Sequence, residues 1–287
     1  MRALRLRSVL YVPGANVRAL EKARDLPADG LIFDLEDAVA PEQKQRAREG
    51  ACEAVGSRAY SPRTVAIRVN ALGTPWHQAD LAAAAAASPD AIVVPKVDSP
   101  DEVLAIERAL DELGDQDTRL WAMLETPSAV LRCAEIAAAG RRLSVLVMGT
   151  NDLLAELRAQ ELPDRRPLEL SLMLCLLAAR ASGRMILDGV YNDVRDAGGF
   201  EAECVAGRQL GFDGKTVIHP SQIELCNSVF SPSEGELEHA RRVLAAFEAG
   251  TQSGAGVVTL DGRLIEHLHV QSARRVLAQA DATAPSN

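Results

Sequence analysis

The chain is expected to fold as a (β/α)8 barrel, an α/β fold, on three observations: eight short apolar segments, a polar or charged group ending each of them, and a helical stretch following each. A run apolar throughout suits a strand buried on both faces, as in a parallel sheet covered by helices. At 287 residues the chain is long enough for one barrel of about 250 residues plus an extension. We therefore divide it into a barrel over 1–228 and a C-terminal extension or lid over 229–287.

Val9–Gly14, Leu31–Asp37, Val65–Asn70 and Ala91–Lys96 read as the first four strands with their endings. Leu120–Thr126, Val145–Asp152, Met185–Asp193 and Thr216–Pro220 complete the set. Ala15 to Asp25 has helical apolar spacing and stops before Pro27. Pro41 opens the second helix as a first-turn proline, continued by Glu42 to Val55. Trp76 to Ala87 contains six consecutive alanines, strong helix formers of small volume. Ser99-Pro100-Asp101-Glu102 supplies a cap, a first-turn proline and acids at the positive end of the dipole, and Thr126-Pro127 starts the fifth helix in the same way. A long loop, Leu153 to Pro167, is expected before the helix Leu168–Ala181. Gly198-Gly199 is expected to precede the helix Phe200–Leu210, and Ser221–Asn227 forms a brief last unit.

Beyond the barrel the pattern changes. Ser231-Pro232-Ser233 caps a helix running to about Ala249, and Thr251 to Gly256 reads as a flexible break. Val257 to Ile265 has the pattern of a hairpin around Asp261-Gly262, and an amphipathic helix spans His267–Ala280, with the last seven residues frayed. A tail of this size cannot carry a core alone, so it is expected to pack on a barrel, its own or a neighbouring subunit's.

Apolar residues make up 47% of the chain and charged residues 25%, an ordinary globular balance, and with only 3% aromatics the core must be aliphatic. A net charge of −9 and an isoelectric point near 5.2 argue against a general nucleic-acid surface, leaving Arg2, Arg5, Arg7, Arg18 and Lys22 as a local basic group. The five cysteines are scattered, without paired spacing, as expected of reduced thiols in a cytoplasmic protein. No segment reads as a secretory signal or a membrane span.

In this fold chemistry sits at the carboxyl ends of the strands. Glu125 and Asp152 end neighbouring strands, so both carboxylates should project over one mouth. They form either an oxygen-donor site of the kind Mg²⁺ prefers or a pair of helix caps. Arg68, in an otherwise apolar strand, must meet an anion: a substrate carboxylate, Asp34 or Glu36 from the adjacent strand, or both. Asp34, Glu36 and Asp37 are placed to ligate metal, orient water or pair with Arg68. Lys96 raises the question of a Schiff base, but nothing around it lowers its pKa, so an electrostatic or structural role is expected. His219 is assigned a structural role, and His267 and His269 have no third ligand for zinc. The chain has no serine-centred elbow, Gly-x-Gly-x-x-Gly or Walker A loop.

The segments Arg7–Gly14, Asp34–Val39, Arg68-Val69-Asn70, Val94-Pro95-Lys96, Glu125-Thr126 and Gly211–Pro220 resemble the citrate lyase β-subunit-like and malyl-CoA lyase family, CoA ester lyases of the HpcH/HpaI aldolase group. The likeness runs in order over about residues 7 to 270. It implies a Mg²⁺-dependent lyase that cleaves a 3-hydroxyacyl-CoA thioester (malyl, citramalyl or citryl) to acetyl-CoA and a 2-oxo acid such as glyoxylate, pyruvate or oxaloacetate, or the reverse condensation. By the same resemblance Glu125 and Asp152 are the metal ligands, Arg68 holds the oxo acid, and Gly149-Thr150 lies beside its carboxylate. Arg7, Arg18 and Lys22 fall where relatives approach CoA; Glu36 and Asp37, in the shell that supports Arg68 and the metal pair, are counted with Arg68 among the catalytic residues. Relatives are trimers or hexamers in which a tail aspartate acts as acid/base in the neighbouring subunit's site; here that position is Glu266. The alternatives are a citrate lyase β-subunit acting on an acyl-carrier protein with partner subunits, a malyl-CoA thioesterase, and a catalytically silent ligand-binding barrel.

Overall fold

The computed structural model describes residues 4–252 and 257–281. Eight parallel strands close a barrel in sequence order: β1 Ser8–Pro13, β2 Gly30–Asp34, β3 Thr64–Arg68, β4 Ala91–Val94, β5 Arg119–Leu124, β6 Leu143–Met148, β7 Met185–Asp188 and β8 Gly214–Val217. The interleaved helices are α1 Val17–Ala23, α2 Lys44–Gly56, α3 His77–Ala87, α4 Pro100–Glu112, α5 Pro127–Leu131, α6 Cys133–Ala138, α7 Thr150–Glu156, α8 Glu169–Ala181, α9 Ala197–Leu210 and α10 Ile223–Val229. The described residues form two compact units, Leu6–Ser228 and a second made from residues 4–5 and those from Val229 onward.

Strand side chains alternate between the barrel interior and the helical jacket. Val9, Ile32, Ala66, Val93, Trp121, Met123, Val145, Val147 and Leu187 fill the interior, while Leu31, Phe33, Ile67, Ile92 and Leu146 are buried at the opposite parity. Continued toward the carboxyl ends, the inward parity arrives at Tyr11, Asp34, Arg68, Glu125 and Gly149. The mouth is thus the polar continuation of an apolar core. Small residues let the jacket approach: Ala47, Ala51, Ala84 and Ala85 are all buried.

Helix starts follow their caps. Ser99 forms a capping box with Glu102, Thr126 accepts the Ala129 N–H, and Asn16 accepts the Ala19 N–H. Two expectations are corrected. Asp152 does not end a strand loop: Gly149 leads directly into α7, which puts Asp152 in a helical first turn and shortens the long connection. Gly198 and Gly199 lie within the first turn of α9, because the cap is Asp196, whose carboxylate accepts the Gly199 N–H at 2.9 Å. A side chain at Gly199 would meet the Tyr191 hydroxyl at 2.1 Å, which accounts for a glycine in a helix start.

The second unit contains α11 Glu234–Gln252, a hairpin of β9 Val258–Leu260 and β10 Arg263–Ile265, and α12 His267–Asp281. Asp261 and Gly262 both have positive φ, 50° and 75°, as a two-residue hairpin turn requires. Ala240, Val243, Ile265, Val270 and Ala273 are its buried centre. The helix runs on through Thr251 and Gln252 rather than breaking there, and Asp281, the first of the seven residues expected to fray, ends a helix; 253–256, 282–287 and Arg2 lie outside the described residues.

Candidate active site

Arg68 sits at the end of β3 in register with Asp34 at the end of β2. Its Nε and Nη2 donate to the two Asp34 oxygens at 2.6 and 2.7 Å, a two-toothed ion pair between side chains that are both under one-tenth exposed. Asp34 also accepts the N–H groups of Glu36 at 2.9 Å and Ala38 at 3.0 Å, so it shapes its own loop. The third guanidinium nitrogen, Nη1, is 2.8 Å from Glu36 Oε2 and 3.3 Å from Asp37 Oδ2. The Tyr11 ring lies 4.8 Å from the guanidinium carbon. These anions hold the Arg68 charge well above its usual pKa despite burial. The internal ion pair is therefore real, and Nη1, shared between Glu36 and Asp37, completes the hold on a side chain that lines the mouth.

Glu125 follows β5 and is 2% exposed. Burial, then the charges of Asp152 and Glu36, push its carboxyl up to about 8. Its Oε1 accepts the Lys96 N–H at 2.7 Å. Lys96 turns that N–H inward by adopting φ of 52°, while its ammonium reaches Asp152 Oδ1 at 3.2 Å and Glu36 Oε1 at 3.9 Å. One residue thus braces both carboxylates, the main chain on Glu125 and the side chain on Asp152. Glu36 is also pushed up, to about 7, first by burial and then by Asp37 and Asp34, against the pull of Arg68. Its Oε2 is sealed from solvent, in ion-pair contact with Arg68 Nη1 but out of line for a hydrogen bond.

The donor set can be tested against a divalent cation. Among the described residues no three His, Cys, Asp or Glu side chains group as a metal cluster. Two convergent carboxylates are nevertheless what Mg²⁺ takes from a protein when water and substrate complete its shell. The crowding that raises Glu125 is relieved by positive charge between it and Asp152. Gly149 makes the room: a Cβ there would stand 2.3 Å from both Cβ and Oε2 of Glu125. The residues present fit the ion.

A cavity of about 310 Å³ gathers Arg68, Glu125, Gly149, Thr150, Asp152 and Asp37. It does not gather the basic group. Arg7 precedes β1, at the amino-terminal end of the barrel and opposite the mouth, where its Nε and Nη2 bond Asp29 at 2.8 and 2.9 Å. Arg18 and Lys22 lie on the exposed face of α1, and Glu266 is exposed in the second unit, its N–H donating to His269 Nδ1 at 3.0 Å. His219 accepts the Ser221 N–H on Nδ1, capping the turn that follows β8.

Three features of the barrel carry no motif in the sequence. Tyr11 belongs to the mouth by strand parity alone. Lys44 is buried, its Nζ donating to the carbonyls of Leu35 and Glu36 and to Asn70 Oδ1, which pins the Asp34–Asp37 loop. Lys215 is fully buried with Asp188 at 3.0 Å and Glu203 at 2.6 Å, and Arg165 joins them from the loop after α7. A lysine inside an apolar strand was the signal for this last group.

The profile of the HpcH/HpaI aldolase/citrate lyase family matches residues 7–220. A (3S)-malyl-CoA thioesterase from Cereibacter sphaeroides is 50% identical over 278 residues, 97% of this chain and 95% of that one. A citrate lyase subunit beta from Escherichia coli is 37% identical over 281 residues, covering 96% and 93%. Among solved structures, protein CitE from Mycobacterium tuberculosis in complex with magnesium, acetoacetate and coenzyme A superposes with a TM-score of 0.78 at 31% identity, over 98% of this chain and all of that one. A citrate lyase beta subunit of the same organism complexed with oxaloacetate and magnesium gives 0.69 at 32% identity, over 80% and 99%. Profile, relatives and barrel agree: the chain belongs to the HpcH/HpaI aldolase/citrate lyase family, a family of enzymes.

Proposed function

We propose that the chain is a magnesium-dependent enzyme that hydrolyses the CoA thioester of a 3-hydroxy acid of the malyl type. The observation that carries this reading is the convergence of Glu125, Asp152 and Arg68 on one cavity, with Gly149 and Thr150 beside them. Half-identity to a malyl-CoA thioesterase across nearly the whole of both chains supports hydrolysis in particular. Glu125 and Asp152 would hold magnesium, which when bound would supply a Lewis acid for the oxygens of the acid. Arg68 presents its charge to the acid's carboxylate while Asp34 holds the fork. Asp37, exposed in the lining of the same cavity, is the carboxylate that orients the attacking water, while Glu36 stands 2.8 Å from Arg68 Nη1. Glu266, by the family resemblance, is the second acid/base, contributed to the site of a neighbouring subunit in a homo-oligomer.

Carbon–carbon cleavage of the same thioester to acetyl-CoA and a 2-oxo acid is the second reading, supported by the identity with the citrate lyase subunit and by the CitE complex with acetoacetate and coenzyme A. Incubating the protein with malyl-CoA and Mg²⁺ and weighing the products separates the two. Malate with free CoA is expected. Glyoxylate with acetyl-CoA selects the second reading, and turnover indifferent to a chelator overturns both.

A further inference from the structure

Beside the mouth lies a second cavity of about 420 Å³, within the size range of small-molecule sites. The two cavities share Thr150, Asn151, Val190 and Asn192 as common walls. A ligand held at Arg68 and Thr150 therefore has its next atoms at the entrance to this space. Malyl and citramalyl groups carry only a hydrogen or a methyl on the carbinol carbon, which would leave most of the cavity to water.

Its chemistry is legible in its walls. Leu154, Leu162, Pro163, Leu168 and Val190 supply apolar surface, and the side chains of Asn151 and Asn192 bond each other at 3.1 and 2.9 Å. The cation in the lining, Arg165, is already matched: Nη1 lies 2.7 Å from Asp188 Oδ2 and 3.1 Å from Glu203 Oε1, and its unbonded Nη2 is sealed from solvent. The other charged groups in the lining, Glu161, Asp193 and Asp196, are negative. Asp196 accepts the Tyr191 hydroxyl at 2.7 Å and the Gly199 N–H at 2.9 Å, which favours its ionised form. A second carboxylate entering here meets like charge, whereas a hydrocarbon chain meets leucines and prolines.

We propose that this cavity is the subsite for the substituent on the carbinol carbon, and that it takes an extended, uncharged chain. The substrate class then extends beyond the malyl thioester to thioesters built on a 2-oxo acid with several side-chain carbons. This rests on the reading that Arg68 and Thr150 hold the acid. The loop that walls the cavity is preset, because Arg165 leaves it with φ of 53° to reach buried Asp188.

The test is calorimetric binding of free 2-oxo acids to the full chain in Mg²⁺, a readout separate from turnover. Each methylene buried tightens binding by about fourfold. We expect 2-oxohexanoate to bind at least about tenfold more tightly than pyruvate, and oxaloacetate to bind more weakly than 2-oxohexanoate. Ala202→Trp, which fills the cavity from α9, should reduce the 2-oxohexanoate-to-pyruvate ratio to below about threefold. Its melting temperature is read alongside, with Leu162→Trp as the second filling variant if the first does not fold. Equal binding of pyruvate and 2-oxohexanoate, an unchanged ratio in the folded variant, or oxaloacetate binding tightest overturns the subsite. Preference for 2-oxohexanoate without any malyl-CoA turnover leaves the subsite standing and removes the proposed hydrolysis. Binding of none of the acids overturns the subsite, and release of malate from malyl-CoA then decides the proposed hydrolysis separately.

Discussion

Arg68 and Asp34 meet across neighbouring strands with two parallel hydrogen bonds, 2.6 and 2.7 Å, at the last residues of β3 and β2. The pair fixes the guanidinium plane before any substrate arrives, so Arg68 acts as a preset donor instead of a searching side chain. A lysine retains the charge but not the fork. Arg68→Lys is expected to lower kcat/KM by about a hundredfold or more, mostly through the acid's binding and orientation. Arg68→Ala should in addition lose about 3 kcal/mol of stability in denaturant titration, because it strands buried Asp34. A variant with wild-type kcat/KM would refute the clamp.

Metal removal gives a second check. Mg²⁺ should raise the melting temperature of the wild-type protein in a concentration-dependent way, as any ligand of the native state does. Glu125→Ala and Asp152→Ala should fold, lose this response and lose Mg²⁺-dependent turnover. A preserved shift in both variants would place the ion elsewhere.

The buried group around Lys215 predicts a stability profile. Asp188 is held below its usual pKa by Lys215 and Arg165, against the opposing effect of burial, so its contribution is present above the unfolded carboxylate value and fades as pH falls through its folded one. Lys215 is held above its usual value by Asp188 and Glu203, again against burial, so its contribution is present below the unfolded lysine value and fades as pH rises through its folded one. Lys215→Met is therefore expected to cost about 3 kcal/mol, roughly constant between about pH 5 and 9, and less below about pH 4 as Asp188 protonates. Chemical denaturation across that range measures it; a cost that grows on acidification would reverse the assignment.

Glu266 can be tested by mixing subunits. Glu266→Gln alone should abolish most turnover without changing the Mg²⁺ response. If its carboxylate serves a neighbouring subunit, refolding that variant with inactive Glu125→Ala should restore activity at about one quarter of the sites. Two inactive variants that stay inactive together would deny the shared site.

Much of the site was legible before folding. The eight charged strand ends placed Glu125, Arg68 and the Asp34–Asp37 cluster over one mouth, because side-chain alternation and strand direction are local properties of the chain. The same logic would have found Tyr11, which lies two residues beyond inward Val9. The place of Arg7 in a motif says nothing of which end of the barrel it occupies; one residue ahead of β1, it belongs to the amino-terminal rim with Asp29. The first turn of α7 was missed because Gly149-Thr150-Asn151-Asp152 carries the polar composition of a loop.

What the sequence determined by itself is the periodic part: the number of strands, their parity, the helix caps and the identity of the charges at the mouth. These follow from interactions among residues a few positions apart. Tertiary structure alone decided which charges are paired and which are left over. Asp34 matches Arg68 from 34 residues away, Asp188 matches Lys215 from 27, and Lys96 bridges Glu125 and Asp152 only because its backbone turns to φ of 52°. Such pairings depend on distances closed by the whole barrel, and they determine which of the chain's many carboxylates can bind and react.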